Sequence, residues 1–136
     1  MTHHDHIGIV SRGYEAWNRG DIAAVIELVH PDFAWSDPPE VVGARGGTGR
    51  SEFELYLRSI FEAWDDFRCE PQEFHVAGDA LLVVVRERGR GKLSGASVEH
   101  RLLHIWRFRE GRALRLQAFV DPRESGEGLY HTELAA

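Results

Sequence analysis

Residues 98–109 read VEHRLLHIWRFR, and the period of two that a β-strand imposes divides them into two unlike faces. Val98, His100, Leu102, His104, Trp106 and Phe108 fall on one side; Glu99, Arg101, Leu103, Ile105, Arg107 and Arg109 fall on the other. The first face is apolar enough to be buried, yet it carries two imidazoles where a plain core would carry valine or leucine. An unsatisfied buried polar group costs roughly 1–3 kcal/mol, so something polar is wanted there. A pocket for a small molecule fits that need.

This stretch belongs to a meander. Strands are expected over residues 67–77, 79–89, 96–109 and 112–121, with AGDA and REGR as hairpin turns and GRGKLSG as a longer connection. Pro71 marks the first of them as an edge or a bulge. Upstream, Ser51 caps a helix with Glu54 as its capping-box partner, and Phe53, Tyr56, Leu57, Ile60, Phe61 and Trp64 form the apolar stripe. DFAWSDPP reads as a short strand in which Phe33, Trp35 and Asp37 share a face, stopped by Pro38 and Pro39. At the start, Ile7, Val10, Tyr14 and Trp17 recur at helical spacing until Gly20. Asp21 then caps a second short helix through Val29, which Pro31 keeps from continuing far. Two helices, a strand, a helix and a meander make an α+β domain whose helices cover one face of an antiparallel sheet.

The chain has 136 residues, which suits one domain able to bury a core without disulfides or metal clips. Sixteen basic residues against 22 acidic ones leave a net charge of −6, the opposite of the basic footprint that nucleic-acid binding leaves. MTHHDHIGIV carries no secretory pattern, and no stretch approaches the ~18 apolar residues of a membrane span. A cytoplasmic protein is expected. Cys69 is alone, so no internal disulfide forms, and it is expected as a buried thiol. HHDH could take a stray divalent ion but reads as a flexible tail over residues 1–5.

The residues that could carry chemistry are few. His104, and more weakly His100, offer a donor and an acceptor on an apolar face, with Trp106 adjoining. Asp37 ends an aromatic strand face, where desolvation raises its pKa and makes it a better proton acceptor. Tyr14 and Tyr56 could donate an O–H to a ligand, while Trp17, Trp35 and Trp64 could supply flat walls. GARGGTGR lacks the Gly-Lys-Ser/Thr ending of a phosphate loop and reads as a mobile loop at a pocket mouth, with Arg45 and Arg50 in solvent. Arg86, Arg88, Arg90 and Lys92 make a solvated or pairing surface. Neither a metal constellation nor a nucleotide fingerprint is present in the sequence, so no cofactor is expected.

From YEAWNRGDIAAVIELVHPDFAWSDPP through FEAWDDFRCEPQEFHVAGDALLVVVRERGRGKLSG to HIWRFREGRALRLQAFVDP, the chain resembles the nuclear transport factor 2-like superfamily, specifically its SnoaL-like branch. The resemblance implies a cone-shaped, strongly curved sheet wrapped around N-terminal helices and an internal cavity. It also implies a homodimer formed through the outer sheet face that carries Leu103 and Ile105. The fold hosts ketosteroid isomerases, polyketide cyclases, epoxide hydrolases, dehydratases and non-catalytic modules. WSDPP is similar to the isomerase segment that ends in the general-base aspartate, which assigns that role to Asp37. His104 falls where those isomerases keep an acidic hydrogen-bond donor, and the isomerase tyrosine falls nearer Gly13 than Tyr14. An epoxide-hydrolase set of two aspartates and an arginine is not matched, because Arg101 faces away from His104. The family's last helix is weakened here by Gly126 and Gly128.

The expected activity is cofactor-independent proton transfer on a small, mostly apolar carbonyl compound: Asp37 takes a proton beside the carbonyl and His104 hydrogen-bonds the enolate oxygen. Isomerisation or cyclisation would follow. The alternative is a non-catalytic ligand-binding or pairing module, and a protein-transport adaptor ranks behind both.

Overall fold

The computed structural model describes residues 3–40 and 44–123. Helix α1 spans His3–Asn18 and buries Val10, Tyr14 and Trp17, the spacing read from the sequence. It begins inside the stretch expected as a tail, so residues 3–5 are helical. It stops in a Schellman turn: Gly20 takes φ +74°, Asp21 N–H reaches Ala16 O at 2.9 Å and Gly20 N–H reaches Trp17 O at 3.0 Å. Asp21 then caps α2 (Ile22–Leu28) by accepting from Ala24 N at 3.1 Å. Strand β1 (Val29–Ser36) follows directly and turns Phe33 and Trp35 inward.

The glycine-rich segment departs from expectation. Residues Gly46–Thr48 form a short strand, β2, paired antiparallel with β1, rather than a mobile loop. Helix α3 (Arg50–Ala63) is not capped by Ser51, which lies inside it. Gly49 at φ +88° is the N-cap, and Glu52, not Glu54, reaches back to Thr48 N at 3.2 Å. A residue free to adopt positive φ lets the chain turn sharply out of β2, and that moves the helix start two residues earlier. Arg50 is not left in solvent: its guanidinium donates twice to Val29 O and ties α3 to the start of β1. Trp64 ends the helix in extended geometry and opens β3 (Trp64–Ala77), so it leaves the helical stripe it was expected to share.

Strands β4 (Ala80–Gly91), β5 (Ser97–Arg109) and β6 (Arg112–Val120) complete the meander. The turn between β5 and β6 puts Glu110 at φ +52° and Gly111 at φ +78°, the two-residue geometry that matches strand twist. Together the strands form one six-stranded sheet in the order β2-β1-β6-β5-β4-β3, antiparallel except where β1 runs parallel to β6. The sheet is curved and unclosed, and the class is α+β. β3 is an edge strand whose register slips between Pro71 and Glu73, as Pro71 implies. Asn18 at the end of α1 pins this edge: its side chain accepts from Cys69 N at 2.7 Å and donates to Cys69 O at 2.9 Å.

β5 keeps the alternation that the sequence shows. Val98, His100, Leu102, His104 and Trp106 are buried, while Leu103 and Ile105 are half-buried on the outer face. Phe33 is fully buried between Phe53, 4.7 Å away, and Trp106, 6.4 Å away, and this stack joins β1, α3 and β5 in one core. Cys69 is the buried free thiol expected. Among the described residues, no helix is long and apolar enough to cross a membrane. The expected last helix around Gly126 and Gly128 lies outside the described residues.

One close approach is testable. A Cβ added at Gly47 would sit 2.5 Å from Trp35 Cη2 and 2.6 Å from Glu52 Oε1, whereas one at Gly8 in α1 meets nothing nearer than 3.4 Å. Gly47→Ala is expected to lower stability by about 1–3 kcal/mol through overpacking. Gly8→Ala is expected to be neutral or stabilising by up to about 1 kcal/mol. Urea midpoints of the two variants check this, and equal midpoints would contradict the packing described.

Candidate functional site

Alternation along three strands delivers polar groups to one place. On β4, Leu81, Val83 and Val85 point inward and are buried, so Glu87 inherits the same face. Register then sets Glu87 directly opposite Cys69 on β3 and His100 on β5. On β1 the inward series Phe33 and Trp35 continues to Asp37, just past the strand end. Tyr56, one turn along α3 from buried Phe53, donates its O–H to Asp37 Oδ2 at 2.5 Å. Arg45 N–H donates to the same oxygen at 3.2 Å, and Asp37 N–H donates to Arg45 O at 2.8 Å. This fixes the aspartate and leaves Oδ1 without those bonds.

These groups line a pocket of about 130 Å³: Asp37, Tyr56, Trp64, Phe67, Glu87 and His100, with Arg45 at its exposed rim. A dry cavity of about 150 Å³ is large enough for benzene, so the occupant is of that order of size.

The two carboxyls do not behave alike. Burial raises the pKa of Asp37, and the hydrogen bonds from Tyr56 and Arg45 pull it back. Glu87 is pushed up to about 8, first by burial and then by the charge of Asp37, with no hydrogen bond to offset either. At neutral pH Glu87 is therefore a neutral acid able to donate, beside a carboxylate able to accept. The pKa of Tyr56 is raised by burial and then by Asp37, so its proton stays in the bond to Asp37. His100 is 2% exposed, held neutral by burial, and neither ring nitrogen has a partner among the described residues.

His104 lies behind this lining, one ring nitrogen within 4.8 Å of a Glu87 oxygen. The sequence ranks it above His100 and sets it across a shared hollow from Asp37, but His104 does not line this pocket. It belongs to a hydrogen-bonded trio in the core: Trp106 Nε1–H donates to Tyr14 Oη at 2.9 Å, and Tyr14 and His104 Nδ1 are 2.8 Å apart. Tyr14 has one proton and accepts from Trp106, so it donates that proton to His104 Nδ1; the His104 proton then sits on Nε2, for which the trio holds no acceptor. Burial lowers the pKa of His104 to about 3, in keeping with a neutral ring. Four residues, about 13 Å along a strand, separate it from His100.

The structure thus brings together Asp37, Tyr56, Trp64 and His100 and leaves Tyr14, His104 and Trp106 in the core. Trp17 and Trp106 border a gap of about 20 Å³ under α1, room for one water at most. Trp17 also stacks on Phe67 at 6.3 Å, and Trp35 packs between Phe53 and Tyr56. Both support the pocket wall from behind.

Glu87 was missed in the sequence, although counting by two from Leu81 puts it on the buried face. A ring nitrogen of His104, Cys69 Sγ and a Glu87 oxygen also lie within 4.8 Å of one another. These are metal-donor types, but a metal needs thiolate and carboxylate. Burial holds both the Cys69 thiol and the Glu87 carboxyl protonated, so a metal would have to displace both protons to bind here.

Tyr14→Phe is expected to cost about 1–3 kcal/mol, because His104 Nδ1 and the Trp106 N–H are both left unpaired. His104 has a folded pKa near 3 against an ordinary 6.5, so its contribution is complete above about 6.5 and is lost as pH falls toward 3. Urea unfolding across that range should therefore give a shallower pH slope for His104→Asn than for the parent, by up to about 1.4 kcal/mol per pH unit. Identical slopes would contradict a neutral buried His104.

The SnoaL-like domain model matches residues 10–116, from α1 through most of β6. No curated protein matches the chain. A nuclear transport factor 2-like protein of unknown function from Burkholderia pseudomallei K96243 is 26% identical, with a TM-score of 0.76 over 89% of this chain and 92% of that one. A second such protein, from Burkholderia thailandensis E264, is 27% identical, with a TM-score of 0.74 over 90% of this chain and 95% of the other. A candidate polyketide cyclase from Sinorhizobium meliloti is 25% identical, with a TM-score of 0.64 over 82% and 94%. The order of helices, the curved six-stranded sheet and a family match spanning most of the sequence together establish that this chain belongs to the SnoaL-like domain family.

Proposed function

We propose that this protein catalyses cofactor-independent proton transfer on a small, mostly apolar carbonyl compound, with Asp37 as general base and Glu87 as the hydrogen-bond donor to the developing enolate oxygen. The carrying observation is that two carboxyls share one small pocket unequally: burial raises both, but Asp37 is held back by two hydrogen bonds while Glu87, with none, is pushed up to about 8. Asp37 Oδ1 takes the proton next to the carbonyl while Tyr56 and Arg45 N–H steady Oδ2. Glu87, still protonated, donates to the oxygen as negative charge builds there. His100, across the sheet from Glu87, offers a second neutral donor. Trp64 and Phe67 exclude water from the apolar body of the substrate. Returning the proton to another carbon completes an isomerisation; attack of the enolate on a second carbonyl completes a cyclisation. The donor role first assigned to His104 passes to Glu87, and Tyr14 and Trp106 act only through the core. The pocket volume favours a substrate near the size of benzene over a steroid.

The second reading, a non-catalytic binding module of the same fold, is favoured by one observation: His100 keeps both ring nitrogens unpartnered in the wall of the pocket. Under either reading the outer sheet face, with half-buried Leu103 and Ile105 and exposed Phe119, is the surface through which two copies would pair.

Exchange of α-hydrogens for deuterium in a panel of small ketones, followed by NMR, separates the two readings. Asp37→Asn is expected to lower the exchange rate by about 10²–10⁴-fold. The pH profile of kcat/KM should rise as Asp37 loses its proton and fall as Glu87 loses its own near pH 8. Glu87→Gln keeps a donor but cannot titrate, so it should remove the alkaline fall. Exchange that is absent from the parent, or unchanged in Asp37→Asn, would leave only the binding reading.

A further inference from the structure

Among the described residues, three hydrogen-bond acceptors in the pocket have no donor. Asp37 Oδ1 is not used by Tyr56 or Arg45, both of which bond Oδ2. The Glu87 carboxyl gains nothing from any hydrogen bond. His100 is almost fully buried with both nitrogens unpartnered, a cost that a native structure accepts where a ligand supplies the missing partner. Between these acceptors stand three aromatic side chains, Tyr56, Trp64 and Phe67, whose rings attract a cation. The charge count agrees. With both carboxyls ionised the lining carries two negative charges against the single guanidinium of Arg45, so one monovalent cation brings it to neutrality.

We propose that this pocket binds a small primary ammonium ion, R–NH3+, whose three N–H bonds go to Asp37, Glu87 and His100 and whose apolar R group lies against Trp64 and Phe67. A neutral alcohol has one donor for three acceptors, and a quaternary ammonium has none. A bare divalent ion would leave the aromatic half of the lining without contact. The volume of about 130 Å³ limits R to a few carbons. The inference goes beyond proton transfer and rests on the pocket lining, not on turnover; an ammonium seated there would compete with a carbonyl substrate for Asp37 and Glu87.

Binding of this kind is coupled to protons. The groups facing Glu87 are Asp37 after β1, Tyr56 on α3, Cys69 on β3, His100 and His104 on β5, Tyr14 on α1 and Arg45 at the rim; of these only Asp37 and Arg45 are charged near neutrality. The empty pocket holds the Glu87 proton up to about pH 8, and an arriving cation displaces it. An alkylammonium, with a pKa near the ~10.4 of lysine, stays charged throughout this range.

Calorimetric titration of the full chain with n-butylammonium chloride tests the proposal, with n-butanol as the neutral match. The expected result is binding of n-butylammonium that tightens by up to about tenfold per pH unit between pH 6 and 8, with up to one proton released to buffer, and no binding of n-butanol. Glu87→Gln, checked for folding by near-UV circular dichroism, should weaken binding and flatten its pH dependence. Asp37→Asn gives the same weakening should the first variant not fold. Equal binding of n-butanol, pH-independent affinity, or folded variants that bind as the parent does would overturn the inference. Ammonium binding without ketone exchange would sink the catalytic reading and leave this one standing; exchange without ammonium binding would do the reverse.

Discussion

Two carboxyl groups on the lining of one pocket, within reach of each other's charge, cannot ionise independently. Coulombic repulsion and desolvation act in the same direction on Glu87, while Asp37 is relieved by a tyrosine hydroxyl and a backbone amide. That asymmetry decides which group holds the proton. It comes from the fold: β1 delivers Asp37 to an end of the sheet where α3 can reach it, and β4 delivers Glu87 to a position between Cys69 and His100 on its neighbouring strands. The charge difference across the pocket follows from strand register and helix placement.

The core behind the pocket keeps the opposite policy. Tyr14 pairs with both the Trp106 N–H and His104 Nδ1, and the three stay neutral and join α1 to β5. A buried hydrogen-bonded network of this kind stiffens the strand that also carries His100. Two histidines on one strand face therefore have separate duties, one structural and one facing the pocket.

Much of this was legible in the sequence. The alternation in VEHRLLHIWRFR places both imidazoles inward, REGR marks its turn, Pro71 marks the edge, and WSDPP places a carboxylate at the end of an aromatic strand face. What was not legible depends on register and on which helix lies over which strand. Choosing between His100 and His104 means knowing that Glu87 pairs with His100, and no local pattern states that pairing. Glu87 itself was hidden by Arg86 and Arg88, which made the segment read as a charged surface although its inward series of Leu81, Val83 and Val85 runs straight to it. The cap of α3 went to Gly49 because positive φ at a tight exit outweighed the side-chain chemistry of Ser51.

The central claim is that Glu87 is protonated and Asp37 ionised across the same pocket at neutral pH. Carbon-13 NMR titration of the labelled side-chain carboxyls in the parent protein, assigned with Glu87→Gln and Asp37→Asn, measures this directly. The account predicts a Glu87 midpoint near 8, well separated from a lower Asp37 midpoint that still lies above the ordinary aspartate value. Two midpoints below about 5, the range of solvated carboxyls, would contradict it.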